Sequence, residues 1–248
     1  MLRKTLFLLL GLSLFSAAVN AEKPIQLLAN TSPPYADAKL EQQGLALELV
    51  KHVFSRTDYS PQVKIESWSR ALEGVQIGVY DALAAAWYSD ERAKDLLFSE
   101  PYLSSKIVLV KSSSDPTEYR SAADLAGKRL GVRTDYAYGL DLEAIPGLRL
   151  VQENHLIQNL LNLQAGKVDL VIGDLRTMNY QLREYLGGSL GKFRVVDADL
   201  PTRQRHVAAG RAVKGHEDMI AAFNKALAEA KQDGSYQAII KKWDRQYG

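Results

Sequence analysis

The sequence predicts an α/β protein with a substantial hydrophobic core. Short apolar runs alternate with segments whose apolar residues recur at helical spacing, an alternation typical of strands covered by helices. The 248 residues suffice for one or two domains. No cysteine occurs in the sequence, so packing of the core rather than disulfide bonds must stabilise the fold.

In the first half of the chain, strands and helices are predicted in turn. They are a strand at 25–29, a helix at 44–54, a strand at 63–66, a helix at 70–76, a strand at 82–86 and a strand at 107–110. Leu49, Val50 and Val53 lie on one face of the first helix, as expected where a helix covers a sheet. Gly78 is placed to end the second helix, because glycine readily adopts the left-handed conformation that follows helices.

The second half continues the same alternation. The predicted elements are a short helix at 122–125, a strand at 129–133, a helix at 156–166, a strand at 168–172, a helix at 177–185, strands at 193–196 and 207–210, and a helical segment at 236–243. Between the last strand and that segment lies the clearest helix, in which Met219, Phe223 and Leu227 share one face. Gly234 is expected to end it.

The first 21 residues have the layout of a secretory signal peptide. Arg3 and Lys4 precede an apolar run at 6–15, and Val19 and Ala21 occupy the positions that a signal peptidase recognises. The run is shorter than the ~20 apolar residues that span a bilayer. We therefore predict cleavage after Ala21 and a mature protein in the periplasm.

The mature protein is predicted to be nearly neutral. Removing Arg3 and Lys4 leaves 29 basic and 29 acidic residues. Nucleic-acid binding requires a concentrated basic face, so the charge balance argues against a nucleic-acid partner.

Several motifs occur in a characteristic order along the mature chain. They are SWSRAL at 67–72 with GVYDA at 78–82, SDERAK at 89–94 with FSEPY at 98–102, DLAGKRLGV at 124–132, AGKVD at 165–169 with GD at 173–174, and FNKAL at 223–227 followed by DGSY at 233–236 and KW at 242–243. Together they resemble the family 3 bacterial extracellular solute-binding proteins, the polar amino-acid binders of ABC transporters. Each motif alone is weak, but their order makes the resemblance strong.

The resemblance implies a two-lobed periplasmic-binding-protein-like (type II) α/β fold with two hinge strands. Lobe 1 would comprise residues 22–112 and 206–248, and lobe 2 residues 113–205. Composition suggests that the chain crosses between lobes at 111–117 and again at 197–205. A small-molecule ligand would lie between the lobes and be buried by hinge closure.

Two charged residues are predicted to hold a zwitterionic ligand, because a buried unpaired charge is very costly. Arg92 lies in a motif position and offers a planar fork that matches a carboxylate. Asp174 follows an apolar strand and is expected at the crevice, where it would bind an ammonium group. Asp169 begins the same strand and is expected to be structural.

Further candidate contacts are aromatic or polar. Tyr35 follows a Pro-Pro turn, and Trp68, Trp87 and Ser89 lie in or beside the motifs. Aromatic faces at these positions would sandwich a side chain or a cation.

Residues 134–139 replace a Gly-Thr-Thr turn of the family and add Asp135 and Tyr136 to the candidate contacts. A carboxylate at Asp135 would repel a ligand carboxylate at close range. The replacement of this turn therefore favours a cationic, aromatic or non-amino-acid ligand.

Three functional classes follow from these features. The first is a monomeric, non-enzymatic carrier that uses no metal or cofactor and delivers its ligand to an ABC permease. The second is a sensor that reports ligand to a membrane receptor. The third is a dehydratase of the same fold, for which Glu66, Asp135 and Asp174 would be the catalytic acids. The sequence contains no nucleophile elbow and no His-Glu-x-x-His metal motif, which disfavours the enzyme.

Overall fold

The computed structural model describes residues 22–247, so the predicted signal peptide lies outside the described residues. The strands in chain order are β1 (Lys23–Asn30), β2 (Tyr59–Glu66), β3 (Ala82–Trp87), β4 (Leu96–Phe98), β5 (Leu103–Ser105), β6 (Ile107–Ser112), β7 (Arg129–Arg133), β8 (Arg149–Glu153), β9 (Leu170–Asp174), β10 (Phe193–Val196) and β11 (Arg203–Gly210). The α-helices are α1 (Leu45–Phe54), α2 (Trp68–Gln76), α3 (Asp90–Ala93), α4 (Leu156–Gln164), α5 (Leu175–Leu186), α6 (His216–Gln232) and α7 (Ser235–Tyr247).

Two separate mixed sheets divide these strands between two lobes. The first sheet has the order β2-β1-β3-β11-β4, with β5 paired to the start of β11, and the second has the order β10-β6-β9-β7-β8. In each sheet the strands joined through helices run parallel, whereas the strands that enter from the other lobe run antiparallel. This is the predicted α/β architecture of two lobes.

Helices cover both faces of the first sheet. Residues of α1, α6 and α7 form the larger core on one face, where the rings of Phe54 and Phe223 lie 5.0 Å apart between centroids. Ala71 and Val75 of α2 pack against the other face. The helical periodicity found in the sequence therefore corresponds to real buried stripes.

The second sheet is covered by α4 and α5 on one face, through Leu160 and Met178 among others. Its other face carries the loops around Leu125 and Tyr138, and Trp87 from the end of β3 packs there as well. A residue of the first sheet is thus part of the second lobe's core.

The two crossings between lobes lie side by side. The first is at Lys106, because β5 pairs with β11 in the first sheet and β6 pairs with β9 in the second. The second lies at residues 197–202, between β10 and β11. Lys106 and Asp197 form an ion pair of 2.6 Å between the crossings.

The predicted first crossing at 111–117, and with it the lobe boundary at 112, is wrong. β6 belongs to the second sheet over its whole length, and the buried Lys111 donates to the carbonyls of Asp115 and Thr117 within that lobe. The second crossing falls inside the predicted range, but β11 joins the first sheet at Arg203 rather than at 206.

Four short elements were not predicted. β4, β5 and α3 have three or four residues, which is too few to display a period. β8 is an edge strand in which no residue is fully buried, so it lacks the apolar run that marks a covered strand.

We expect Phe223→Ala to lower the free energy of unfolding by about 3–5 kcal/mol, because it leaves a cavity in the core of the first lobe. Ile77→Ala removes a side chain that is 68% exposed and should change stability by no more than about 0.5 kcal/mol. Urea denaturation followed by circular dichroism measures both. Equal losses for the two variants would contradict the core assignment.

Candidate functional site

The crevice between the two sheets collects polar and aromatic side chains from both lobes. Asn30 ends β1, Trp87 ends β3 and Asp174 ends β9, and all three line enclosed cavities in the crevice. In α/β sheets the carboxyl ends of parallel strands are the usual place for a ligand.

Arg92 is held in this crevice by main-chain carbonyls of both lobes. It is 8% exposed, and its guanidinium donates to the oxygens of Trp87 at 2.8 Å and Asp135 at 2.6 Å. Its Cζ lies 4.6 Å from the ring centroid of Trp68. Burial lowers the pKa of Arg92 to about 10, so the side chain remains charged at neutral pH.

Ser89 positions Arg92. Its hydroxyl oxygen accepts from the backbone N–H of Arg92 at 3.3 Å and caps the short helix α3. The hydroxyl can still donate its own hydrogen, so a contact between Ser89 and a ligand stays a prediction.

Asp174 lies at the junction of β9 and α5 and is 4% exposed. Oδ1 accepts from the backbone N–H and the hydroxyl of Thr177, at 3.0 and 3.3 Å. Oδ2 accepts from the hydroxyl of Tyr35 at 3.0 Å. The N-terminal end of α5 favours the negative charge, which explains how a carboxylate is kept in a buried position.

Tyr35 provides the hydrogen bond that joins the lobes at the centre of the crevice. The side chain is fully buried. Burial first, and then the negative charge of Asp174, raise the pKa of Tyr35 above its ordinary value. The hydroxyl therefore keeps its proton and donates a hydrogen bond to Asp174.

Three aromatic rings form the wall of the crevice. Tyr136 lies edge-on to Trp87 and Trp68, with ring centroids 5.3 and 6.3 Å apart. The indole of Trp87 donates to the hydroxyl of Ser105 at 3.2 Å, whereas Nε1 of Trp68 is buried without a hydrogen-bond partner among the described residues.

Asp135 does not place its carboxylate in the buried site. The side chain is exposed and accepts from the hydroxyl of Ser69 at 3.2 Å. Asp135 has a φ of 59°, and its carbonyl rather than its side chain meets Arg92. The predicted repulsion between Asp135 and a ligand carboxylate therefore loses its geometric basis, and with it the argument for a cationic ligand.

Arg133 and Arg205 were missed at the level of sequence. Arg133 is 8% exposed and donates to the carbonyls of Asn154 and Thr31, which lie in different lobes. Arg205 is 5% exposed, and its Cζ lies 3.7 Å from the ring centroid of Tyr35. Neither residue lies in a motif, and successive residues of β7 and β11 are buried, so no pattern of alternation in the sequence marked these two arginines.

Asn30 completes the contacts across the crevice. Its side-chain amide donates to the hydroxyl of Tyr136 at 2.8 Å.

Asp169, by contrast, forms an ion pair of 2.6 Å with Arg129 at the far end of β9, which confirms its predicted structural role.

The crevice is closed around these groups. Two small cavities beside Arg92 and Asp174 have volumes of about 10 Å³ each, which is about the room that one water needs. Larger spaces of about 270 and 260 Å³ lie at the rim, and Arg133 lines both of them. A molecule larger than water can therefore lie between Arg92 and Asp174 only if the lobes separate. The hydrogen bonds that cross the crevice are therefore the contacts that opening must break.

Comparisons with known proteins agree with this architecture. The model of the family "Bacterial extracellular solute-binding proteins, family 3" matches residues 27–246. The L-cystine-binding protein TcyJ of Escherichia coli K12 is 31% identical over 87% of this chain and 80% of its own. ABC transporter arginine-binding protein 1 of the same strain is 25% identical over 97% of this chain and 98% of its own.

Solved structures share the fold. An ancestral arginine-binding protein bound to arginine has a TM-score of 0.77 at 22% identity, over 90% of this chain and 99% of that one. A histidine kinase sensor domain similar to periplasmic binding proteins has a TM-score of 0.76 at 21% identity, over 90% and 97% of the two chains. At these identities the likeness concerns the fold alone.

We expect Tyr35→Phe to shift the protein towards a more open arrangement, because it removes a hydrogen bond of about 1.5–3 kcal/mol to a charged group. Spin labels on cysteines introduced at Ile77 and Leu190, exposed positions in different lobes, report the distance between lobes by pulsed electron paramagnetic resonance. The chain has no native cysteine to interfere.

Tyr102→Phe is the matched control, because its hydroxyl donates to the carbonyl of Ala84 within the first lobe at 2.8 Å. It should lower stability without changing the distance between lobes. Identical distance distributions for the two variants would show that Tyr35 does not hold the crevice closed.

Proposed function

Because this chain belongs to the family 3 bacterial extracellular solute-binding proteins, we propose that it captures an amino acid between its lobes and delivers it to an ABC importer. The family and the curated relatives are binding proteins, so the chain is a binding protein and not an enzyme. Among the described residues, no helix is long and apolar enough to cross a bilayer. The predicted signal peptide supports a periplasmic location.

The burial of Arg92 and Asp174 in one crevice carries this proposal. The two side chains have opposite charges, come from different lobes and lie beside small cavities in the crevice. An α-amino acid needs one cationic and one anionic partner when it leaves water. The guanidinium fork suits the carboxylate, and the Asp174 carboxylate suits the ammonium group.

Ligand binding would exchange partners at both charged groups. Arg92 would give up a carbonyl for the ligand carboxylate, and Asp174 would exchange the hydroxyl of Tyr35 for the ligand ammonium. These exchanges couple binding to lobe movement, because both present partners bridge the lobes. Ligand contacts would replace the contacts that close the crevice, so the liganded protein would also close.

The remaining candidate residues have supporting roles. Trp68, Trp87 and Tyr136 would form an aromatic wall against the aliphatic part of the ligand. Ser89 would hold the main chain of Arg92 in place through its hydroxyl. The main-chain carbonyl of Trp87 would keep its contact with the guanidinium, whereas the carbonyl of Asp135 would hold Arg92 only until the ligand carboxylate replaces it.

The proposed partner is the permease of an ABC importer, and the proposed binding unit is a monomer, because each chain contains both halves of the crevice. Deleting the gene should reduce uptake of the bound amino acid by intact cells. Normal uptake together with a lost transcriptional response to that amino acid would instead indicate the sensor class.

We expect Arg92→Ala to lower amino-acid affinity at least tenfold, because removing one partner of a buried charge pair costs about 2–5 kcal/mol. Isothermal titration calorimetry with the best ligand from a panel of the twenty amino acids measures the effect. Arg70→Ala is the control, because this side chain is 80% exposed on α2. Unchanged affinity in a folded Arg92→Ala variant would exclude the proposed role.

A further inference from the structure

The charges buried around the crevice do not balance. Three guanidinium groups, those of Arg92, Arg133 and Arg205, are at least nine-tenths buried there, and Asp174 is the only carboxylate buried to that extent among the described residues. None of the three arginines forms an ion pair within residues 22–247. The interior of the crevice thus carries an excess of two positive charges.

Neutral groups occupy two of these arginines without cancelling their charge. Arg92 donates to main-chain carbonyls, and Arg133 donates to carbonyls and to the hydroxyl of Tyr136. The acidic residues nearest the rim offset this charge only partly: Glu66 pairs with Lys64 at 2.9 Å, and the exposed carboxylate of Asp135 attracts Arg92 without forming an ion pair with it. Burying uncompensated charge is unfavourable, so this arrangement calls for an anionic partner.

Arg205 is the least satisfied of the three. Its Nε is buried and has no hydrogen-bond partner among the described residues. The guanidinium lies on the ring of Tyr35 at 3.7 Å and near the ring of Trp87 at 5.2 Å. Such cation–π contacts hold the group in place but leave its donors unused. Arg205 also lines both enclosed cavities, beside Arg92 in one and beside Arg133 and Asp174 in the other.

We propose that the ligand carries a second anionic group and that Arg205, together with Arg133, binds it. The inference rests on the proposed function, in which Arg92 and Asp174 bind the α-carboxylate and the ammonium group. The substrate class is then an acidic amino acid with two carboxylates and one ammonium group, whose net charge of −1 reduces the positive excess. A basic amino acid would add a further positive charge to the crevice.

A calorimetric comparison of L-glutamate, L-aspartate, L-glutamine and L-arginine tests this class. Glutamate and glutamine have nearly the same shape and differ in charge, so they form a matched pair. We expect glutamate or aspartate to bind at least tenfold more tightly than glutamine, and arginine to bind most weakly.

Arg205→Met removes the charge and keeps an unbranched stem. It should weaken binding of the acidic amino acid at least tenfold and change glutamine affinity less than threefold, so that the preference is lost. Arg205→Lys retains a cation and should keep the preference for the acidic ligand. If the lysine variant keeps the preference and the methionine variant loses it, the missing charge and not a folding defect explains the loss. Arg120→Met, at an arginine whose side chain is 83% exposed and pairs with the exposed Glu118, should leave both affinities unchanged.

The outcomes separate this inference from the proposed function. Glutamine or arginine binding as tightly as the acidic amino acids would overturn the inference and leave the amino-acid carrier intact. Binding of succinate but of no amino acid would support the second anion site and overturn the amino-acid part of the proposed function. Failure of all twenty amino acids and of succinate to bind would overturn both.

Discussion

The burial of charge between two lobes is the constraint on which this structure depends. Arg92 and Asp174 leave water in a crevice whose two small cavities have room for about one water each, so each charge must find partners within the protein. Carbonyls, a helix N-terminus and the hydroxyl of Tyr35 supply them. Because some partners come from the opposite lobe, satisfying the charges also fixes the distance between the lobes.

The scaffold meets this constraint with ordinary elements of α/β folds. Parallel strands end at the crevice, so the loop or helix that follows each strand begins where a polar group is needed. Asp174 serves both as the last residue of β9 and as the cap of α5, and Ser89 fixes the start of the helix that carries Arg92. The two crossings at Lys106 and at 197–202 are the covalent connections between the lobes and lie side by side, which is the arrangement required for hinge motion.

Selectivity depends on side chains that the fold does not dictate. The curated relatives bear names that refer to cystine and arginine, and arginine is bound by a structure with the same fold. The same two lobes therefore accommodate ligands of different charge, since function depends on the groups within the site rather than on the fold. In this chain, Arg133 and Arg205 add positive charge around the pair formed by Arg92 and Asp174.

The sequence by itself determined the fold class and the family, because hydrophobic periodicity and motif order are local properties of the chain. It also predicted Arg92 and Asp174 as the charged groups of the crevice. It did not determine the first crossing, since β6 has the apolar pattern of a buried strand in either sheet and only pairing with β9 assigns it. Nor did it determine that Asp135 turns its carboxylate outward or that Arg205 lies on Tyr35. Those facts depend on side-chain direction and on contacts between residues far apart in the chain, which only tertiary packing decides.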